Sequence, residues 1–134
     1  MEVRHLIVER ELTKDQLLKL LEVKLTEGLS TIDIIEDFGL DDLFFRFVVT
    51  KDNDIFIGPR YMSHGDIQRK NGLETKDCPI NSGNIRQNEN NPNELIFSYQ
   101  AAKRTILNDA VEDRLLEFFG NLLDKRLKLK VVVY

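Results

Sequence analysis

Imidazole and thiol side chains are few: the 134 residues include two histidines, His5 and His64, and one cysteine, Cys78. His64 stands between Ser63 and Gly65 and just before Asp66. It follows an expected strand end, where a loop backbone can expose amides. An imidazole titrates near cellular pH, at about 6.5 when unperturbed, so a histidine held there can take a proton from water as a general base. The plainer alternative is a surface or structural histidine, and His5, in the first expected strand, reads as structural. Cysteine phosphatases close the thiolate loop with an arginine six positions later; here that position is Asn84, and Arg86 lies two residues further on. With no histidine near it in sequence, Cys78 reads as an inert small residue in a turn before Pro79. Two histidines and one cysteine at these spacings do not form a zinc site. The phosphate loop G-x-x-x-x-G-K-[ST] and the turn G-x-G-x-x-G are both missing from the sequence. No metal and no cofactor is therefore expected. Asp52 and Asp54 read as a solvated hairpin turn. Phe44, Phe45 and Phe47 read as core, because neighbours in a strand point to opposite faces and the basic surround of a base-stacking platform is missing.

The elements that must position these groups alternate between strand and helix. Glu2 to Glu11 carries Val3, Leu6, Ile7 and Val8 without helical period and predicts a strand. Thr13 and Gln16 have the form of a capping box, and Leu17, Leu18, Leu21 and Leu25 follow at helical spacing, with Gly28 placed as a C-terminal stop. A helix over about 14–27 is expected. Ile32, Ile34 and Ile35 predict a short strand, and Gly39 a turn within the acidic stretch Glu36 to Asp42. Leu43 to Thr50 is aromatic and β-branched, Lys51 to Asp54 is a turn, and Ile55 to Ile57 returns, so a β-hairpin is expected there, ended by Gly58 and Pro59. Tyr61 to Ile67 predicts a short helix or turn. Residues 70–93, rich in Asn, Gly and Ser, read as the longest irregular region, with one short strand around Asn84 to Gln87. Glu94 to Tyr99 is a strand. A helix over about 109–126 follows, capped by Asn108 or Asp109 and ending at Lys125 and Arg126. Leu127 to Tyr134 closes the chain as an apolar strand. The expected architecture is α+β: a mixed or antiparallel sheet of about five to six strands with two main helices, in a single domain over 1–134.

The segment Ile55-Phe56-Ile57-Gly58-Pro59-Arg60-Tyr61-Met62-Ser63-His64-Gly65-Asp66-Ile67 resembles the phosphohistidine phosphatase family, also called Janus or Ocnus. In that family a strand and a glycine turn lead into Y-H-A-D-I. Gly83-Asn84-Ile85 is similar to its glycine-rich strand entry, and Leu95 to Ala102 to its later strand of the form V-Y-G-Y-S-x-A, at an interval that needs no gap. Arg46 takes the place of a basic residue that follows a Phe in a family strand. The resemblance covers about 43–102. It implies a small α+β enzyme that removes phosphate from phosphohistidine without a metal. His64 would be the general base; Gly65, Gly83, Gln100 and Ala102 would surround the phosphate; and Arg46 would contact substrate. Phosphoryl transfer suits such a site, because it needs a positioned water and donors on the equatorial oxygens more than covalent chemistry. The sequence departs from the pattern at Gly65, where the family has Ala, at Ser63, where it has Tyr, and at Gln100, where it has a phosphate-contacting Ser.

Composition bounds the rest. Nineteen basic against 23 acidic residues give a net charge of −4, so no global positive field collects nucleic acid. Forty-two per cent hydrophobic residues suffice for a buried core. No apolar run reaches the roughly 18 residues of a membrane helix, and Glu2 and Arg4 interrupt any signal-peptide pattern. A lone cysteine agrees with a reducing compartment. A cytoplasmic phosphatase is expected, acting on a phosphorylated protein or a small phosphoramidate, with neither nucleic acid nor membrane as partner. The alternative is a noncatalytic interaction module, homodimeric through the C-terminal edge strand.

Overall fold

Alternation of buried and outward side chains builds the centre of the sheet. In β2 (Phe44–Val49) Phe45, Phe47 and Val49 face the core, and in β3 (Asp54–Pro59) Ile55 and Ile57 do the same. The two strands pair antiparallel, with Phe47 opposite Ile57. Thr50 Oγ1 accepts from the amides of Asp52 and Asp54 and shapes the turn between them. The computed structural model describes residues 16, 21–37, 44–50, 52, 54–73, 81–99 and 106–133. The expected strand at Glu2 to Glu11, Gly39 and Cys78 fall outside these.

The fold is α+β. The remaining strands are β1 (Glu22–Leu25), β4 (Asn81–Asn88), β5 (Asn91–Tyr99) and β6 (Lys128–Val133). The helices are α1 (Thr31–Asp37), α2 (His64–Lys70) and α3 (Ile106–Leu123). The sheet order is β1-β3-β2-β4-β5-β6: antiparallel in the middle, with β1 parallel to β3 and β6 parallel to β5. One face is covered by α3, whose Val111, Leu115 and Phe119 are fully buried, and by Leu29 and Ile34 at α1. Phe119 stacks on Phe45 with centroids 6.1 Å apart, and Phe47 meets Phe97 at 6.5 Å. Each such buried ring contributes roughly 1.5–3 kcal/mol of transfer free energy.

Three sequence expectations are corrected. The helix over 14–27 does not run its full length: Gln16 is helical, but Glu22–Leu25 is β1. Val23 and Leu25 alternate toward the core, opposite Ile55 and Ile57, and this distant parallel pairing outweighs the Leu21 to Leu25 helical spacing. Gly28, at φ +97°, serves the turn after β1 rather than a helix end. Ile32, Ile34 and Ile35 lie in α1, not a strand. Ser30 Oγ accepts from the Asp33 amide while Asp33 Oδ2 accepts from the Ser30 amide, and this reciprocal cap starts a helix against β-branched propensity. Residues 81–88 and 91–93 are strand, not irregular: Ile85 and Gln87 face inward while Ser82, Asn84 and Arg86 face outward, so a polar composition conceals a regular ladder.

The last helix begins at Ile106, ahead of Asn108 and Asp109, and ends at Leu123, ahead of Lys125 and Arg126. Asp124 closes it in the left-handed conformation at φ 50°, and the Lys125 amide donates to Gly120 O at 3.1 Å. A side chain is strained there, so Asp124→Gly is expected to raise stability by about 0.5–1 kcal/mol, read as a higher urea midpoint at unchanged slope.

Candidate functional site

The second face of the sheet carries α2. A methyl group added to Gly58 would stand 2.5 Å from Ile67 Cγ1, so the bare backbone of β3 is the seat for the fully buried Ile67. Arg46 opposes Gly58 on one side and Asn84 on the other, and directly opposed residues share a face. α2 and Arg46 are therefore on the same side of the sheet. At its far end α2 is tied to β1, where Asn71 Nδ2 donates to Thr26 Oγ1 at 3.1 Å and to Ile67 O at 2.8 Å.

Ser63 starts α2. Its hydroxyl accepts from the Asp66 amide at 3.0 Å, and Asp66 Oδ2 accepts from the Ser63 amide at 3.1 Å. His64 and Gly65 thus occupy the first two helical positions, whose amides have no carbonyl one turn back. The Ser63 amide, then Arg69, which pairs with Asp66, then the Ser63 hydroxyl, hold the Asp66 carboxyl below the usual carboxylate range. Asp33 is lowered in the same way by Ser30. A carboxyl whose folded pKa is depressed adds stability above its unfolded value, near 3.9, and loses it as pH falls toward the folded value. Urea midpoints are therefore expected to fall between about pH 5 and pH 3, and Asp66→Asn to flatten part of that fall. An unchanged slope in the variant would remove Asp66 from the acid response.

His64 Nε2 lies 2.8 Å from Gly83 O. A carbonyl oxygen can only accept, so Nε2 carries the proton and, in the neutral ring, Nδ1 is the acceptor. No partner meets Nδ1 among the described residues. Next along β4, Asn84 Oδ1 accepts from Arg46 Nη1 at 3.4 Å, and Arg46 Nε donates to Arg60 O at 3.4 Å. Residues far apart in sequence, Arg46, His64 and Gly83, are thereby drawn to one corner where β2, β4 and the start of α2 meet. Gly65 lies beside His64; an added methyl would be in ordinary contact with the tip of Arg69 at 3.4 Å and with Ser63 Oγ at 3.8 Å. Gly83 is bare for a different reason. A methyl there would stand 2.2 Å from Ser98 O and 2.9 Å from Phe47 Cζ, so its missing side chain admits β5 and a core ring. Gln100 and Ala102 lie outside the described residues.

Sequence reasoning missed Asn84, Arg60 and Phe44. Phe44 is not core: only Phe45 and Phe47 are, while Phe44 lies half-buried on the α2 side, with Arg46 Cζ 5.2 Å and Arg60 Cζ 5.7 Å from its ring centroid. The odd and even alternation of the strand was the signal that could have separated it from its neighbours. Two surface concavities, about 670 and 480 Å³, lie along α3 on the opposite face from His64. Compared with known proteins, the chain matches no protein-family model, no curated protein and no solved structure. No helix among the described residues is long and apolar enough to cross a membrane.

Proposed function

We propose that this protein is a metal-independent phosphatase that hydrolyses phosphohistidine or a related phosphoramidate, with His64 as general base. The observation that carries this reading is the His64 Nε2 to Gly83 O hydrogen bond, which fixes the ring and leaves Nδ1 to accept a proton from water. The Gly65 amide donates to the transferring phosphoryl group, and Arg46, braced by Asn84, faces its developing charge. The family resemblance implies phosphate contacts from Gln100 and Ala102, which lie outside the described residues. Gly83 contributes its carbonyl as the anchor of His64. No cofactor takes part. The single cysteine fits a reducing compartment, so we assign the activity to the cytoplasm.

The test is release of inorganic phosphate from a phosphohistidine peptide and from phosphoramidate, with EDTA present. Turnover that survives EDTA and is lost in His64→Ala is the expected result. No turnover by the native protein would remove the reading and favour the noncatalytic alternative, a homodimeric interaction module. One observation supports that alternative: among the described residues β6 is an outer strand of the sheet, and Val133 on it is 41 % exposed.

A further inference from the structure

A side-chain amide links the guanidinium and the imidazole of the His64 corner. Asn84 on β4 is the direct cross-strand neighbour of Arg46 on β2, and the carbonyl 2.8 Å from His64 Nε2 belongs to Gly83, the residue before it. Arg46 Nη1 donates to the Asn84 amide at 3.4 Å. A guanidinium has donors only, so the amide turns its oxygen to Arg46 and its Nδ2, with two N–H groups, away from it. Arg46 is itself held from two further sides: its Nε donates to Arg60 O at 3.4 Å, and its Cζ lies 5.2 Å from the centre of the Phe44 ring. Arg46 Nη2 and Asn84 Nδ2 meet no hydrogen-bond partner among the described residues. Arg46, Asn84 and His64 are all half-buried, so each stays partly open to solvent. No carboxylate among the described residues forms an ion pair with Arg46, and the one carboxylate of α2, Asp66, is taken by Ser63 and Arg69.

A transferring phosphoryl group spreads negative charge over three equatorial oxygens, and donors fixed before the reaction stabilise that charge best. The Asn84 amide is such a donor. Its oxygen is tied to an arginine that is tied in turn to a carbonyl and a ring, and turning the amide over would set N–H against N–H, so Nδ2 keeps its outward side. We propose that Asn84 is a further catalytic residue: its Nδ2 donates to one equatorial oxygen of the phosphoryl group, Arg46 Nη2 donates to a second, and the attacking water lies at His64 Nδ1. In this step the water oxygen bonds to phosphorus as the P–N bond breaks, its electron pair staying on the substrate nitrogen. One water proton passes to His64 Nδ1 and from there to that nitrogen; the other stays on the inorganic phosphate. The contact gives Asn84 a role beyond bracing Arg46, and it rests on the phosphatase reading.

The experiment measures kcat/KM for a phosphohistidine peptide, with EDTA present, in the native protein, Asn84→Ala, Arg46→Ala and the double variant. Asn84→Val, a better strand former, repeats the comparison if alanine loosens β4. In parallel, inorganic phosphate is titrated into the native protein and into Arg46→Ala while the side-chain amide NMR signals of Asn84, assigned by their loss in Asn84→Ala, are followed. The expected result is a fall of about tenfold in kcat/KM in Asn84→Ala and a further fall of similar size when the same change is added to Arg46→Ala, with amide signals that shift on phosphate addition in both proteins. A residue that only braces Arg46 costs nothing once Arg46 is gone. A double variant as fast as Arg46→Ala would therefore overturn the contact and leave the hydrolysis standing, as would native activity in Asn84→Ala. If the native protein releases no phosphate, the phosphatase reading fails and the titration decides: shifts that persist in Arg46→Ala would support Asn84 as an anion contact, and their absence would overturn it. The titration decides in the same way if Arg46→Ala is too slow to compare.

Discussion

Gly83→Ala is expected to destabilise the fold by about 3 kcal/mol, near the upper end of the cost of overpacking a filled site. The new methyl would stand 2.2 Å from Ser98 O and 2.9 Å from the Phe47 ring. Side chains on a surface move aside cheaply, but here the obstacle is backbone of the adjacent strand on one side and a fully buried ring on the other. Either β5 shifts against β4 or Phe47 leaves its place beside Phe97. For a domain of this length the loss corresponds to a melting temperature lower by about 10 °C. The carbonyl that holds His64 belongs to the same residue, so the substitution also disturbs the ring's anchor. Thermal and urea unfolding measure the effect; a variant as stable as the native protein would show that β4 and β5 can separate at this point without cost.

His64→Ala is expected to reduce phosphate release by about 10² to 10⁴-fold, the usual contribution of a positioned base. It should leave the melting temperature within a few degrees, because the ring is half-buried and supports no core cluster. Alanine removes both the proton acceptor and the donor to Gly83, so a second variant separates the two roles. His64→Gln keeps an N–H group able to reach Gly83 O but offers no basic nitrogen. If His64 is the base, the glutamine variant is folded and as slow as the alanine variant. If it serves only to tie α2 to β4, the glutamine variant recovers the native rate, and the general-base role falls.

The parts of the fold that were legible from sequence are those in which local pattern and final environment agree. Phe44 to Val49 and Ile55 to Ile57 are apolar because they are central strands, and the turn between them is polar because it is solvated. Where a distant partner decides, the local pattern misleads. Val23 and Leu25 become strand by lying beside Ile55 and Ile57, 32 residues away, while their leucine neighbours suggest a helical stripe. Asn84 and Arg86 belong to a regular strand whose outer face needs no apolar residue, so their composition reads as loop. The site divides in the same way. His64 stood out through its glycine and aspartate neighbours, and Arg46 through being the one charge in an apolar run. The meeting of Arg46 and Arg60 on the Phe44 ring did not, because only strand register brings residues 46 and 60 together.

The order of strands also determines how the molecule assembles. β2, β3, α2 and β4 are consecutive in the chain; the three strands are adjacent in the middle of the sheet, and α2 packs on β2 and β3. β1 and β6 are attached at the outside by parallel pairings that require longer loops to close first. Contacts of short sequence separation form early, and outer strands are the first to exchange their amide hydrogens with solvent. Arg46, His64 and Gly83 all fall within the consecutive middle, so hydrogen exchange is expected to find the corner that would carry the chemistry among the last parts to open.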